Sequence, residues 1–550
     1  MRRLLSLLLL GLAGPAYSQD KPKGLVVCVS APAAEVGAAI LRQGGNAVDA
    51  TAATAFALAV TWPEAGNIGG GGFMLIQPPG DKTATAIDYR EMAPAAANAE
   101  MFAKKVEYQS HLTTGVPGSV RGLGFAHKKY GRLPWAEVVR PAVKLAEEGF
   151  VVNAVLARGL NAVLASPLTK NAEFRRVYGK NGGKDPWQAG DRLVNKDLGR
   201  TLRIIMEQGA DGFYSGDLAD KFDAEMTFGA GLITKQDLAA YTAIERKAMT
   251  GTYRGHEVIA LPPPSAGGTT VIQMLNMLET FDIAKHSRHA PETVHLMSEV
   301  MRRAYRDRAE FLGDPAFTKI PEHLTTKEYA KKLAACIDLN KATKSEALAG
   351  NIAIAPESNQ TTHFSIVDAD GLAVANTTTL ENSYGNRVVV RGCGYILNNE
   401  MTDFNHRPGI TDRSGRVGTA PNLVTGGKRM LSSMCPTILR KDGKTLLITG
   451  SPGGRTIPNT VLNVIVNVVD YRKDVQVAVD APRLHQQWFP DRVMHEEFAD
   501  FPKLSDALKA LGHTVGKSRQ GDAHSIHIDP ATGVRTPGVD RRLDGKAVRE

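Results

Sequence analysis

The chain has 550 residues, of which 43% are hydrophobic and 22% are charged, and it contains 54 glycines. Such a composition is typical of a globular protein with a large buried core, and it excludes fibrous and low-complexity chains. The net charge of +9 is dispersed along the chain. The arginines between residues 302 and 308 stand beside acidic residues on one predicted helix, which favours a solvated helix face and argues against a nucleic-acid partner.

The N-terminal segment, residues 1–18, is predicted to be a secretory signal peptide. Arg2 and Arg3 precede a short apolar run, and Ala16 and Ser18 are small residues suited to a signal-peptidase site. A buried N-terminal helix is the alternative. The apolar run is too short to cross a bilayer, and no later segment is apolar enough. We therefore expect a periplasmic or secreted protein with no stable membrane span.

Four cysteines, at positions 28, 336, 393 and 435, form no Cys-x-x-Cys motif. Their spacing argues against a zinc site or a dithiol redox site. In an oxidising compartment three disulfide pairings are possible for four cysteines, and the sequence does not choose among them. Four buried free thiols are the alternative.

Hydrophobic periodicity predicts a helix-rich N-terminal part and a strand-rich C-terminal part. The predicted helices include residues 34–42, 134–148 and 293–311, and a later helix over residues 456–471 is apolar on most sides, as expected of a helix buried against a sheet. Three β-hairpins are predicted: 361–367 with 372–379, 437–439 with 445–449, and 525–528 with a strand near residue 534. The irregular stretch before the first hairpin, residues 341–360, fits an accessible and cleavable connector.

A pair of threonines, Thr361 and Thr362, opens the first predicted hairpin within Gln-Thr-Thr-His-Phe-Ser at residues 360–365. Threonines at the start of a strand are ordinarily only strand residues. A threonine hydroxyl becomes an effective nucleophile beside a base, and a chain cut before the threonine supplies its new α-amine as that base. With a pKa of about 7.7–8.0, such an amine is partly neutral at working pH. A self-cleaving precursor, cut between Gln360 and Thr361, is one interpretation of the pair, and the accompanying motifs favour it.

Those motifs occur in a set order around the threonines. Upstream lie Asp-Tyr-Arg-Glu (88–91), Pro-Gly-Ser-Val (117–120), Asp-Gly-Phe-Tyr-Ser-Gly (211–216) and Pro-Pro-Ser-Ala-Gly-Gly (263–268). Downstream lie Thr-Thr-Thr-Leu (377–380), Leu-Asn-Asn-Glu-Met-Thr-Asp-Phe (397–404), Lys-Arg-Met-Leu-Ser-Ser-Met (428–434) and Thr-Gly-Ser-Pro-Gly-Gly (449–454). Each motif is weak alone, but in this order and spacing the set closely resembles the γ-glutamyltransferase (γ-glutamyl transpeptidase) family of N-terminal-nucleophile hydrolases. The resemblance covers nearly the whole chain after about residue 23.

The resemblance implies a fold and a maturation pathway. The fold would be α+β, a four-layer αββα sandwich of the N-terminal-nucleophile hydrolase type, autoprocessed from a zymogen. The fragments would be a large subunit, residues 19–360, and a small subunit, residues 361–550, which form one interleaved domain. The resemblance also implies an enzyme that needs no metal and no cofactor.

Carried onto the matching positions, the resemblance assigns the catalytic roles. Thr361 would attack first the Gln360 carbonyl and then a γ-glutamyl amide, forming an acyl-enzyme. Thr379 would orient Thr361, although a plain cross-strand hydrogen bond is its alternative role. Gly453 and Gly454 would donate two backbone N–H groups to the oxyanion, because glycine permits the necessary backbone geometry and the following helix adds positive potential.

A γ-glutamyl substrate ends in a zwitterion, so its pocket needs both signs of charge. Arg90 is the candidate for the α-carboxylate, where a guanidinium can bind in a bidentate way. Ser432 and Ser433 would add hydroxyl donors, and Glu400 and Asp403 would accept from the α-ammonium. Any one of these residues would be unremarkable on a surface, but together they form a γ-glutamyl-shaped receptor.

Two features depart from the best-known members of the family. Glu381 stands two residues after the second threonine, where their pattern often carries asparagine. A glutamate there could still accept from the α-ammonium, but it adds negative charge and bears on the choice of substrate. The loop over residues 404–431 is long enough to be a lid, yet it has no tyrosine or tryptophan and is made basic by Arg407, Arg413 and Arg416.

The predicted function is that of a γ-glutamyltransferase and glutathione hydrolase, acting on glutathione or glutamine. Water as acceptor gives hydrolysis, and an amino acid or peptide gives transpeptidation. The nearest alternative is a cephalosporin- or glutaryl-type acylase of the same fold, although an acyl group without an α-ammonium should disfavour three acidic residues around it. A non-catalytic periplasmic binding protein on this fold is the alternative from another class. Such a protein would stay uncut and would not need both threonines.

Overall fold

The structure, a computed structural model, describes residues 22–80, 82–102, 106–350, 352, 355–356, 362–413 and 415–550. The predicted signal peptide and the predicted cleavage pair, Gln360 and Thr361, lie outside the described residues. The described residues nearest to the predicted subunit boundary are Pro356 before it and Thr362 after it.

Most of the helices in the described residues precede the predicted cleavage site. They are α1 (Ala31–Arg42), α2 (Ala47–Thr61), α3 (Ser119–Tyr130), α4 (Trp135–Glu148), α5 (Ala154–Ala165), α6 (Ala172–Tyr178), α7 (Lys196–Gln208), α8 (Asp211–Tyr214), α9 (Gly216–Phe228), α10 (Lys235–Ala240), α11 (Ala266–Leu278), α12 (Pro291–Phe311), α13 (Lys327–Ala335), α14 (Ile457–Val469), α15 (Val475–Asp480) and α16 (Phe501–Ala510). The four helices predicted from periodicity correspond to α1, α4, α12 and α14, and they are confirmed.

The strands are spread over the whole described chain. They are β1 (Leu25–Cys28), β2 (Gly71–Gln77), β3 (Thr85–Tyr89), β4 (Phe150–Val151), β5 (Arg192–Leu193), β6 (Ile244–Lys247), β7 (Met249–Tyr253), β8 (His256–Ala260), β9 (Ala355–Pro356), β10 (Thr362–Val367), β11 (Ala373–Thr379), β12 (Gly415–Arg416), β13 (Thr437–Lys441), β14 (Lys444–Thr449), β15 (Leu484–His485), β16 (Val493–His495), β17 (Val515–Lys517), β18 (His524–Ile528), β19 (Arg535–Val539) and β20 (Lys546–Arg549). The three predicted hairpins are confirmed as β10–β11, β13–β14 and β18–β19.

The first large sheet has seven strands in the order β20-β1-β10-β11-β2-β3-β6, with every neighbouring pair antiparallel. Its central strands β11 and β2 are buried along their whole length. On β2, Phe73 and Leu75 belong to the core toward the second sheet, whereas Met74 and Ile76 belong to the core toward the helices. Because both faces are covered, these strands carry no alternation of apolar and polar residues.

The second large sheet has six strands in the order β19-β18-β14-β13-β8-β7, again all antiparallel. It packs on the first sheet through β14 and β18, which contact β10 and β11. Helices α1, α2 and α3 cover the outer face of the first sheet, and α11 and α15 cover that of the second. The predicted four-layer αββα sandwich is therefore confirmed.

The prediction that the arginines of α12 form a solvated helix face is wrong. Arg302, Arg303 and Arg308 are only 1%, 3% and 7% exposed. Arg303 Nη1 donates to Glu299 Oε2 at 2.6 Å, and Arg302 Nη1 donates to Ser345 Oγ at 2.8 Å. The charges on this helix are buried and paired, partly with residues distant in the sequence, so their alternation does not indicate solvation.

All four cysteines are free thiols in the structure, with Cys28, Cys393 and Cys435 buried and Cys336 exposed. Of the alternatives left open by the sequence, the structure thus has free thiols, although not all of them are buried. Within the described ranges, every helix is too short or too polar to cross a bilayer.

Candidate active site

A cavity with about 550 Å³ of empty space lies between the end of β11, the C-terminal turn of α12 and the start of α14. Eight of the residues predicted for the site line this cavity. They are Arg90, Thr379, Glu381, Glu400, Asp403, Ser432, Ser433 and Gly454. Gly453 is the chain neighbour of Gly454. The fold thus brings together residues that are up to 364 positions apart, from 90 to 454.

Thr379 is the last residue of β11 and lies next to the start of β10. The two strands pair Thr362 with Thr378, so the first residue of β10 faces the end of β11. The Thr379 hydroxyl oxygen accepts a hydrogen bond from the Glu381 N–H at 2.7 Å. Asn67 Nδ2 donates to the Thr379 carbonyl at 2.7 Å and holds the strand end in place. Since its oxygen is the acceptor from Glu381, the Thr379 hydroxyl can donate its own hydrogen to another oxygen.

Arg90 follows β3, and its side chain is 1% exposed. Nη1 pairs with Glu400 and, at 3.5 Å, with Glu91, while Nη2 donates to Asp403 at 2.5 Å. Nε and Nη2 also donate to the backbone carbonyls of residues 430 and 431, each at 3.3 Å. Every nitrogen of the guanidinium is therefore engaged. A ligand carboxylate can bind Arg90 only by replacing one of these acceptors, which frees a carboxylate for a ligand ammonium.

The three carboxylates around Arg90, those of Glu91, Glu400 and Asp403, outnumber its single positive charge. Burial raises the pKa of Glu400 well above its usual range; Arg90 opposes the rise, whereas Glu91, Asp403 and Glu381 add to it. Burial likewise raises the pKa of Glu91 to about 7, against the effect of Arg90. Glu91 Oε1 and Glu400 Oε2 are buried without a hydrogen-bond partner among the described residues. The cluster therefore binds protons when no ligand supplies a positive charge.

Ser433 is held by a residue that the sequence did not single out. Arg308 Nη2, on α12, donates to Ser433 Oγ at 2.8 Å, and Arg308 lines the same cavity. The adjacent Ser432 Oγ accepts from the Met434 N–H at 3.1 Å. The two positions that meet here are 125 residues apart, and no motif around Arg308 indicates a contact with the serines.

Two further residues were missed: Glu91, which pairs with Arg90, and Asn422, which joins two loops. Glu91 belongs to the Asp-Tyr-Arg-Glu motif, which is the signal that could have found it. Asn422 donates from Nδ2 to the Asp403 carbonyl at 2.7 Å and accepts at Oδ1 from the Leu431 N–H at 2.8 Å. Asn422 thereby joins the loop that carries Asp403 to the segment that carries the serines.

Glu381 has a positive φ of 71°, which is uncommon for any residue except glycine, asparagine and aspartate. Asn399 Nδ2 donates to Glu381 Oε2 at 2.5 Å, and the Glu381 N–H is bonded to Thr379. These bonds hold the side chain at the cavity wall, where it is 5% exposed. An asparagine would tolerate this φ better than a glutamate does, so the backbone of this turn favours the residue that the family resemblance leads one to expect here.

Gly453 and Gly454 form a turn between β14 and α14. Their φ values are 123° and 53°, in the left-handed region that favours glycine. A Cβ on Gly453 would overlap Thr456 Oγ1. The turn leads into a 3₁₀ turn over Gly454–Thr456 and then into α14, so that backbone N–H groups at a helix start lie at the cavity. Such a position suits an anionic oxygen.

A potential metal-ligand cluster lies elsewhere, formed by two residues of α12 and one residue that follows α16. His295, Glu299 and His513 bring one ligand atom each to within 4.8 Å of the others. Glu299 is, however, bonded to Arg303, and His513 Nδ1 faces Arg302 Nη2 at 3.4 Å. Two guanidinium groups at this cluster disfavour the binding of a metal cation, so we assign these residues to packing.

A four-layer αββα sandwich with this cavity at the ends of its central strands defines the class of the N-terminal-nucleophile hydrolases. The lining agrees with that class in providing a threonine, one glycine of the predicted pair and a cluster of charged side chains. The sequence profile described as Gamma-glutamyltranspeptidase matches residues 33–549. The chain therefore belongs to the γ-glutamyltranspeptidase family.

Individual relatives carry two kinds of name. The glutathione hydrolase proenzyme of Escherichia coli (strain K12) is 46% identical over 517 residues, which cover 92% of this chain and 88% of the relative. The acylase ACY 1 proenzyme of Pseudomonas sp. (strain SE83) is 36% identical over 543 residues, covering 96% and 93%. Among solved structures, a cephalosporin acylase from Bacillus halodurans superimposes with a TM-score of 0.83 at 26% identity, covering 98% of this chain and 99% of that chain.

Proposed function

We propose that this protein is a γ-glutamyltransferase and glutathione hydrolase that matures by cutting itself between Gln360 and Thr361. The observation that carries the proposal is the convergence of eight predicted residues, from Arg90 to Gly454, on one cavity. A 46% identical relative named glutathione hydrolase proenzyme supports the same activity and maturation.

Maturation uses the chemistry of the later reaction. The Thr361 hydroxyl attacks the Gln360 carbonyl, and the peptide C–N bond breaks to leave an ester. Water then hydrolyses the ester, so that residue 360 ends in a carboxylate and Thr361 begins with an α-amine. That amine is the base for the enzymatic reaction. The predicted fragments, 19–360 and 361–550, remain one folded unit.

In each turnover, the Thr361 hydroxyl attacks the γ-carbonyl of the donor and its proton passes to the α-amine. The amide C–N bond breaks, the nitrogen departs with that proton, and a γ-glutamyl ester remains. Water or an acceptor amine then breaks the ester C–O bond, and the proton returns to the threonine oxygen. The backbone N–H groups at Gly453 and Gly454 stabilise the oxyanion of both steps, and Thr379 donates its hydroxyl hydrogen toward Thr361.

Donor recognition exchanges internal ion pairs for ligand ion pairs. The α-carboxylate of the donor takes a place on Arg90 beside Ser432 and Ser433, and the displaced Glu400 and Asp403 accept from the α-ammonium. The zwitterionic end of the donor adds no net charge to the cluster. Because the receptor side chains are already buried in the free protein, little further desolvation of these side chains is needed on binding. Glu381 adds a further negative charge on the ammonium side.

A glutaryl- or cephalosporin-type acylase is the second candidate, because a 36% identical relative carries an acylase name. The acyl group of such a substrate lacks an α-ammonium. It would leave the carboxylates of Glu381, Glu400 and Asp403 without a positive ligand group, which the burial of this cluster opposes. The γ-glutamyl assignment is therefore favoured. Export by the predicted signal peptide, residues 1–18, to the periplasm or the medium belongs to the same proposal.

The test compares Thr361→Ala, Thr361→Ser and the adjacent control Thr362→Val. The alanine variant is expected to remain one polypeptide on a denaturing gel and to lose glutathione hydrolysis by at least about a thousandfold, since no nucleophile remains. The serine variant keeps a hydroxyl and should still be cut, and Thr362→Val should be cut and active. N-terminal sequencing of the smaller fragment should begin at residue 361. Two normal fragments from Thr361→Ala, or an active uncut wild type, would refute the proposal.

A further inference from the structure

A second cavity, with about 510 Å³ of empty space, adjoins the first one under the loop 404–431. The two cavities share wall residues, among them Glu381, Asp403 and Arg455. The residues that line only the second cavity include Arg407 and Arg416 of this loop. The second cavity thus shares two acidic residues and Arg455 with the first one, and it adds two guanidinium groups that the first one lacks.

The guanidinium groups of Arg407 and Arg416 remain available to a ligand. The side chains of Arg407 and Arg416 make no hydrogen bond or ion pair with another residue in the part of the chain that the structure describes. Arg413, on the same loop, differs in that its Nε donates to Glu346 at 2.5 Å and it does not line the cavity. His406 stacks on Phe102 with ring centroids 4.0 Å apart, and burial lowers its pKa to about 4.

A fitting ligand has an amine at one end and a carboxylate at the other. Its amine lies toward the shared wall of Glu381 and Asp403, where the acyl bond is made and broken. Its carboxylate lies toward Arg407 and Arg416, whose guanidinium groups suit carboxylate oxygens. The part of glutathione that departs on acylation is a dipeptide with this arrangement, and an amino acid or dipeptide acceptor has it too.

We propose that the second cavity is the subsite for the leaving group and the acceptor, and that Arg407 and Arg416 bind the carboxylate of both. This inference rests on the proposed function. In acylation the amine that departs with the proton from Thr361 is held here. In transfer an amine in the same place attacks the ester, the C–O bond breaks, and the amine proton goes to the threonine oxygen. One subsite serves both directions because the second step is the reverse of the first with another amine.

The subsite should act as a selector for free carboxylates. Arg407 is exposed and Arg416 is half-buried, so their pairing with a ligand is screened by water and salt. We expect the pair to favour a donor with a leaving-group carboxylate by roughly tenfold in kcat/KM, as for a partly exposed charge-assisted hydrogen bond. This preference should shrink as the salt concentration rises.

The experiment uses the matured enzyme and three donors: glutathione, glutathione with its glycine carboxylate converted to an amide, and a γ-glutamyl anilide without any leaving-group carboxylate. Wild type should prefer glutathione to its amide by roughly tenfold in kcat/KM. The double variant Arg407→Gln/Arg416→Gln should lose this preference and keep its kcat/KM for the anilide within about twofold. Arg413→Gln, in the same loop, should behave as wild type toward all three donors.

Two results would overturn the subsite. One is a wild type that hydrolyses glutathione and its amide equally well, which needs no variant and so does not depend on variant folding. The other is a double variant whose kcat/KM falls by the same factor for all three donors, which would indicate a structural role for the loop. A wild type that hydrolyses none of the three donors would instead refute the proposed γ-glutamyl activity itself, and the subsite with it.

Discussion

At the scale of residues, the site depends on how one guanidinium is shared. Arg90 contacts Glu91, Glu400 and Asp403 in a nearly closed environment, and only Asp403, at 23% exposure of its side chain, reaches solvent to any extent. Buried carboxylates in excess of their cation hold protons to a higher pH than usual. The proposed receptor is thus suited to a ligand that brings its own positive charge.

Glu91→Gln tests this excess through the pH dependence of stability. The folded-state pKa of Glu91 is raised from 4.5 to about 7, so the stabilisation due to its bound proton is complete below about pH 4.5 and is lost as the pH rises through about 7. Between these pH values the wild type should lose about 1–3 kcal/mol more of its free energy of unfolding than the variant does. Urea unfolding of both proteins across this pH range measures the difference.

A surface substitution, Glu137→Gln, provides the control, because Glu137 lies on the exposed side of α4 and its side chain is 46% exposed. Its unfolding curve should follow the wild type at every pH. Parallel pH curves for wild type and Glu91→Gln would mean that Glu91 is ionised throughout, and the proton-holding cluster would be abandoned.

At the scale of elements, the proposed oxyanion site is a turn whose backbone favours glycine. Gly453 and Gly454 both have positive φ, and the helix that follows begins at the cavity wall. The geometry comes from the junction of β14 and α14, since the chain must leave a sheet and enter a helix within a few residues. A side chain on Gly453 would meet Thr456 and force the turn to move.

Gly453→Ala should therefore impair catalysis more than stability. We expect kcat to fall by about a hundredfold to a thousandfold, as for the loss of one oxyanion donor, with a smaller change in KM. The free energy of unfolding should fall by about 1–3 kcal/mol because of backbone strain. Steady-state kinetics with glutathione and urea unfolding on the same preparation provide the two readings.

Gly392→Ala is the matched control, since Gly392 also has a positive φ, 72°, but a Cβ there meets no atom within 4 Å. It should lose a similar free energy of unfolding and retain normal kcat. Equal losses of kcat in the two alanine variants would show that the glycine pair has no special part in catalysis.

At the scale of the whole molecule, the predicted cleavage point lies between strands that belong to the same sheets. In the seven-stranded sheet β1 pairs with β10 and β20, and β2 pairs with β11; in the six-stranded sheet β8 pairs with β13. Each of these pairs joins a strand before residue 360 to a strand after it. Both hydrophobic cores are likewise built from the two sides.

The cut protein should accordingly stay together without its peptide bond. On a denaturing gel the matured protein is expected to give two bands, while by native size exclusion it should elute as one species at the volume of the uncut Thr361→Ala variant. Main-chain pairing in two sheets and a shared core supply this cohesion. Separation of the matured protein into two native peaks would contradict the interleaved domain.

The sequence-based predictions were correct where the contacts join residues close together in the sequence, and they failed where the contacts join distant residues. The hairpin β10–β11 was predicted because its strands are joined by a short glycine-containing turn and pair with each other. The arginines of α12 were misjudged because their partners, such as Ser345 for Arg302 and Ser433 for Arg308, lie far along the chain. A helix-face pattern reports charge spacing, but it carries no information about what packs on that face.

The amino-acid sequence by itself determined the secondary structure of the long periodic segments, the family and the set of candidate residues, because propensities and ordered motifs are local properties. Only the tertiary structure decided that Arg90 is already paired with the acids expected to bind a ligand ammonium, that Arg308 supports Ser433, and that a second cavity with two unshared guanidinium groups lies beside the first. Burial, ion pairing and cavities arise when distant segments pack together, and these relations appear only in the folded chain.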